Sequence, residues 1–205
     1  MDDSTATEAG AHGTPDAAEF VTIVSGLPRS GTSMMMRSLE AGGMAVLTDA
    51  VRAADDDNPG GYYEYERVKT LPEDAGWLDQ ARGRAVKVIY KLAYHLPPGL
   101  PCKILFLQRD LAEVVASQEK MLARRGMPAG AVPAETMIRL FQSEVLAFRN
   151  WVQGRRDLDC LFVDYAGLVA RPEPGMQAVA DFLDLPLDVA AMARVTAPGL
   201  HRNRA

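Results

Sequence analysis

At 205 residues, with 48% hydrophobic and 24% charged content, the chain fits one globular domain able to bury a sizeable core. Its net charge of −5 argues against non-specific binding to nucleic acid or to an anionic membrane surface. No apolar run approaches the roughly 18 residues of a membrane span, and the first nineteen residues lack the basic and apolar regions of a signal peptide.

Residues 1–18 are rich in Ala, Gly, Asp, Thr and Glu without periodicity, and read as a disordered tail before a single α/β domain over 19–205. The run Phe20-Val21-Thr22-Ile23-Val24 predicts a buried strand over 20–25. It leads into Gly26-Leu27-Pro28-Arg29-Ser30-Gly31-Thr32-Ser33, which has the spacing of a phosphate-binding P-loop. A strand, a glycine turn and a helix start present backbone N–H groups to an anion. The lysine expected at position 32, which would reach the β- and γ-phosphates, is Thr32, and Arg29 is the nearest cation. The loop therefore suits phosphate or sulfate oxygens better than ordinary ATP or GTP hydrolysis. As a bare strand-to-helix turn it would bind nothing.

The loop opens a helix over 32–41, ended by Gly42-Gly43. Met34-Met35-Met36 on that helix reads as core. A short strand at Ala45-Val46-Leu47 precedes a polar loop over 48–61. Its Asp55-Asp56-Asp57 lacks calcium-loop spacing, and the histidines, cysteines and carboxylates make no metal-ligand pattern, so no metal is expected. Tyr62 to Gln80 is helix or loop, and Ala85 to Tyr90 a second clear strand. His95, beside Leu96-Pro97-Pro98, reads as a turn residue.

Lys103 to Leu107 is a further strand, followed by Gln108-Arg109-Asp110. Asp110 is the expected N-cap of a helix over 111–125, with Glu113 as its capping-box partner. A loop over 126–133 leads to a long amphipathic helix over 134–153. Leu158 to Val163 is a strand, and short helices are expected near 172–183 and 187–195. Cys102 and Cys160 lie in strand-like runs and read as reduced core thiols of a cytoplasmic protein. Continuous apolar strands alternating with helices predict a three-layer α/β sandwich with a central parallel sheet. Arg29, Lys87, Arg109 and Asp164 all fall at strand C-terminal ends, where such sheets bind ligands.

Three segments together resemble the sulfotransferases that use 3′-phosphoadenosine 5′-phosphosulfate (PAPS). Pro28-Arg29-Ser30-Gly31-Thr32-Ser33 is similar to their 5′-phosphosulfate loop, P-[KR]-S-G-T-[ST]. Leu107-Gln108-Arg109-Asp110 with Ser117 is similar to their 3′-phosphate motif, in which an Arg ends a strand and a Ser lies in the next helix. Phe162 to Glu173 resembles their V-x-Y-E-D-L-V-x-x-P-E stretch. The resemblance covers roughly residues 20–185. It implies a P-loop-type fold, PAPS as donor, adenosine 3′,5′-bisphosphate (PAP) as product and no metal. It also implies transfer of a sulfuryl group to a hydroxyl or amine of a small-molecule acceptor.

By the same resemblance, Arg29 and the backbone of Ser30, Gly31, Thr32 and Ser33 hold the 5′-phosphate, helped by the hydroxyls of Thr32 and Ser33. Arg109 and Ser117 read the 3′-phosphate. Cytosolic members carry K-T-H at a strand end, where this chain has Lys87-Val88-Ile89: the lysine matches, and Ile89 replaces the histidine base. Other members use a glutamate from an earlier segment, which makes Glu64 the candidate base and Glu66 the reserve. Leu200-His201-Arg202-Asn203-Arg204 does not match the R-K-G-x-x-G motif that completes the 3′-phosphate site in cytosolic members. Each residue also has a plainer role open to it: Lys87 as a strand-end surface lysine, Arg109 as a paired surface arginine, Glu64 as a solvated loop carboxylate. Two other functions stay open. One is a P-loop kinase or phosphotransferase, against which Thr32 stands and for which Asp164 is the one strand-end carboxylate. The other is a nucleotide-binding module without catalysis, which Ile89 favours.

Overall fold

The apolar runs become the strands of one parallel sheet. The computed structural model describes residues 19–49, 55, 58, 60–124, 126–127 and 132–196. The expected tail over 1–18, Arg202, Arg204 and much of the loops over 48–63 and 126–134 lie outside the described residues. Strands β1 (Val21–Gly26), β2 (Val46–Leu47), β3 (Ala85–Lys87), β4 (Cys102–Gln108) and β5 (Leu158–Asp164) run in the order β2-β3-β1-β4-β5, each parallel to its neighbour. The helices are α1 (Thr32–Ala41), α2 (Tyr90–Ala93), α3 (Leu111–Arg124), α4 (Ala134–Gln153), α5 (Tyr165–Ala170), α6 (Pro172–Leu183) and α7 (Val189–Val195). Two 3₁₀ turns, Glu66–Thr70 and Gly76–Ala81, fill the stretch that the sequence leaves as helix or loop.

Side chains alternate across each strand, so a continuous apolar strand feeds two cores. On one face Ile23, Val86, Ile104 and Phe106 pack with Trp77, Val114, Phe141 and Phe148. On the other, Val24, Leu105 and Leu107 pack with Met35, Met36, Leu39, Met176, Leu183 and Met192. Met35 and Met36 are fully buried, as the core reading of the methionine run expects. Cys102 and Cys160 are free thiols, and burial pushes both up to about 12.

Three sequence expectations need correction. The strand over 85–90 ends at Lys87. Val88 still donates to the Val24 carbonyl at 3.0 Å, but Ile89 is the extended N-cap of α2, and Tyr90 turns inward to bury its ring. The sequence reading has no helix at α5, a six-residue element whose internal Gly167 weakens its pattern; the Asp164 carboxylate starts it by accepting from the N–H groups of Ala166 and Gly167. That capping occupies the carboxylate which the kinase reading would assign to Mg²⁺. The third correction concerns Glu113. Asp110 does cap α3, its carboxylate accepting from Glu113 N at 3.0 Å, but Glu113 does not return the bond: its own carboxylate lies on Arg109.

Candidate active site

The parallel sheet brings five strand C-termini to one edge. From β2 to β5 these carry Thr48 and Asp49, then Lys87, the glycine loop, Arg109 and finally Tyr165. The loop is bent by two unusual backbone positions. Gly31 has φ 105° and serves as N-cap of α1, and Arg29 has φ 69°, in the left-handed region that non-glycine residues enter at roughly 1–2 kcal/mol. Arg29 is held there from both ends. Its Nε donates to Ser117 Oγ at 3.0 Å, and its carbonyl accepts from Arg109 Nη1 at 3.3 Å. The two halves of the expected phosphate site thus meet on one residue. Ser117, deep in α3 and 3% exposed, reaches Arg29 across 88 residues of sequence.

Arg109 is enclosed on three sides. Its Nε donates to Glu113 at 2.8 Å, its Nη1 to Arg29, and its guanidinium lies 4.9 Å from the centre of the Tyr165 ring. The edge of that ring also covers Gly31, where a Cβ would fall 2.5 Å from Tyr165 Cδ2. Burial raises the Tyr165 phenol above its ordinary range, with the charges of Arg109 and Arg29 pulling the other way. Tyr165 therefore supports the glycine turn and the arginine together. Its position directly after a strand end is the signal the sequence offered for it.

On the other flank, Lys87 Nζ donates to the Tyr62 carbonyl at 2.6 Å and to Ser33 Oγ at 3.2 Å, and Ser33 Oγ also lies 3.2 Å from the Tyr62 carbonyl. The segment after Gly60 thus crosses the first turn of α1. Its path needs φ 83° at Gly61 and φ 52° at Tyr63, and at Gly60 the Arg37 side chain lies where a Cβ would stand. Two residues on, the Glu64 carbonyl accepts from Thr48 Oγ1 at 2.9 Å and from Asp49 N at 3.2 Å. The half-buried Glu64 side chain lies within electrostatic reach of Lys69, whose ammonium is held above its ordinary range first by Glu66 and then also by Glu64 and Asp49. Glu66 is tied to Lys69 on the exposed side, and His95 is exposed.

No side chain caps the N-terminus of α1, and no acidic residue lies in its first turn. Ser30 Oγ is buried with no hydrogen-bond partner among the described residues. The middle of the edge is therefore rich in donors: the loop amides, the Arg29 and Arg109 guanidiniums, the Lys87 ammonium and hydroxyls, with the Asp49 carboxylate at its β2 end and that of Glu113 on Arg109. No group of three or more His, Cys, Asp or Glu among the described residues could hold a metal ion.

The family model for the sulfotransferase domain matches residues 21–197. The chain belongs to the sulfotransferase family. Its fold is that of the family, a five-stranded parallel sheet between helices. Among solved structures it resembles mouse sulfotransferase SULT7A1 complexed with PAP, at 18% identity and a TM-score of 0.53, with 88% of this chain and 63% of that one covered. It also resembles sulfotransferase STF9 from Mycobacterium avium, at 15% identity and a TM-score of 0.50, with 87% and 67% covered. The sulfotransferase domain described here thus spans less than two thirds of the mouse protein's length. None of the curated proteins compared with the chain matches it. Ile89, which the sequence resemblance sets at the histidine of K-T-H, is 46% exposed and has no group that accepts a proton.

Proposed function

We propose that this sulfotransferase moves a sulfuryl group from PAPS to a hydroxyl or amine of a small-molecule acceptor. One observation carries the reading: Arg29, in the glycine loop, is bonded at once to Ser117 and to Arg109, so the two motifs form one continuous cationic edge at the uncapped start of α1. The donor set fits a ligand with two phosphate groups, and the buried Ser30 hydroxyl, which has no partner among the described residues, is a further donor for it. The amides of Ser30, Gly31, Thr32 and Ser33, with the Thr32 and Ser33 hydroxyls, would hold the 5′-phosphate. Arg109 and Ser117 would hold the 3′-phosphate, the group that separates PAP from AMP. When bound, PAPS supplies the sulfuryl group together with a stable leaving phosphate.

The chain's own residues then have three tasks. Arg29 offsets the negative charge that grows on the leaving phosphate oxygen. Lys87, held beside Ser33 by the Tyr62 carbonyl, supplies positive charge on the β3 side of the loop. Glu64 accepts the proton from the acceptor hydroxyl, the task that Ile89 cannot perform. The free thiols Cys102 and Cys160 support a cytoplasmic setting.

Thermal denaturation with PAP, AMP and ATP–Mg²⁺ tests the donor assignment. PAP at about 100 times its dissociation constant adds roughly 2.7 kcal/mol of stability, and AMP at the same concentration adds far less. Equal or greater stabilisation by ATP–Mg²⁺ would transfer the protein to the phosphotransferases.

A further inference from the structure

We propose that Glu113 is a positioning residue that sets the orientation of the Arg109 guanidinium, an inference that rests on Arg109 being the 3′-phosphate residue. A capping box would turn the Glu113 carboxylate back to the N–H of Asp110. Here the cap is one-sided: Asp110 accepts from Glu113 N, while Glu113 Oε2 accepts from Arg109 Nε at 2.8 Å. Arg109 directly follows β4 and precedes the Asp110 cap, so its side chain folds over the start of α3 to meet Glu113 four residues on.

The arginine side chain is 9% exposed and that of Glu113 is 30% exposed. A guanidinium carries five donors in one rigid plane, so fixing Nε fixes the direction of all the others. With Nε on Glu113, Nη1 falls on the Arg29 carbonyl and the plane lies beside the Tyr165 ring. The bond to Arg29 links that orientation to the left-handed backbone of the glycine loop.

Charge alone predicts the opposite sign for this residue. A carboxylate beside an anion site repels the anion, so its removal would strengthen phosphate binding. Orientation predicts that removal weakens it. Glu113→Ala and Glu113→Gln separate the two, because glutamine keeps an acceptor for Nε and loses the charge.

The test is titration calorimetry of wild type and both variants with PAP and with AMP, alongside a melting curve for each. In wild type PAP binds more tightly than AMP. In Glu113→Ala the PAP affinity falls about tenfold, the loss of one aligned charged hydrogen bond, while AMP affinity stays within about twofold. In Glu113→Gln most of the PAP preference returns. Tighter PAP binding in either variant overturns the proposal in favour of simple repulsion. Equal losses for PAP and AMP overturn it in favour of a general folding role, and a Glu113→Ala protein that does not fold leaves the glutamine variant to decide between orientation and repulsion. A wild-type protein that does not prefer PAP overturns the 3′-phosphate assignment itself, and is read independently of either variant.

Discussion

Replacing Gly31 by alanine probes the turn that bends the glycine loop into α1. Gly31 has φ 105°, outside the range an L-residue adopts easily, and left-handed backbone costs roughly 1–2 kcal/mol for a residue with a Cβ. The added Cβ would also meet Tyr165 Cδ2 at 2.5 Å and Cε2 at 2.7 Å. The ring cannot retreat freely, since it is 9% exposed and packed beside the Arg109 guanidinium. Forcing such an overlap adds about 1–3 kcal/mol, and the smaller conformational freedom of unfolded alanine returns about 0.4–1 kcal/mol. The net loss is about 1–5 kcal/mol, a substantial share of the roughly 5–15 kcal/mol that holds a domain folded. For a chain of this size the melting temperature drops by roughly 2–20 °C. Urea denaturation of Gly31→Ala, Tyr165→Leu and the double variant supplies the assay. Removing the ring edge leaves only the backbone part, so the glycine substitution should be milder in the Tyr165→Leu background by about 1 kcal/mol or more. A Gly31→Ala loss below about 0.5 kcal/mol, or strict additivity with Tyr165→Leu, would refute the close approach of loop and ring.

Three further outcomes follow from the same geometry. Arg109→Ala removes a charge-assisted contact of about 1.5–3 kcal/mol, which is roughly 10–150-fold in PAP affinity; AMP should be far less affected, and equal losses for both nucleotides would detach Arg109 from the 3′-phosphate. Glu64→Gln should cut turnover about 10²–10⁴-fold with PAP affinity unchanged, and parallel variants at Glu66 and His95 should not; an active Glu64→Gln enzyme would remove Glu64 from the mechanism. Asp157 gives an acid-stability signature. Hydrogen bonds from Arg155, and then from Gly99 N–H, hold its carboxyl well below the usual range. Its folded value lies below the unfolded value of about 3.9, so the stabilisation is present above about pH 4 and is lost as pH falls through the folded value. The stability gap between wild type and Asp157→Asn should be constant near neutrality and narrow on acidification below about pH 4; a gap that persists unchanged at low pH would contradict the ion pair.

Most of the scaffold was legible because its signals are local. The run from Val21 to Val24, the glycine spacing of 26–31 and the amphipathic period of 134–153 each report on their own segment, and the observed elements match them closely. Residues that end or redirect an element were harder. Tyr90 reads as a strand residue by type, yet it begins α2 because its ring is drawn into the core. In the candidate site, Arg29 is marked by the loop spacing and Arg109 and Ser117 by the family resemblance alone, and neither signal shows that Arg29 touches the other two, since those contacts join residues 80 and 88 positions apart. The Tyr62 carbonyl was invisible in the same way: its aim at Lys87 depends on positive φ at Gly61 and Tyr63, which no side-chain pattern encodes. The three-residue spacing of Glu113 to Asp110 suggests a cap, whereas its four-residue spacing to Arg109 describes what its carboxylate does.

Sulfuryl transfer is tested by following the sulfur. The protein is incubated with sulfur-labelled PAPS and a panel of phenols, alcohols and amines, without added metal, and both labelled acceptor and PAP are quantified. Label should pass to at least one acceptor in a one-to-one ratio with PAP released, and Arg29→Ala should abolish the transfer. Tight PAP binding with no label leaving PAPS for any acceptor would contradict it, and would make the chain a nucleotide-binding member of the family without catalysis.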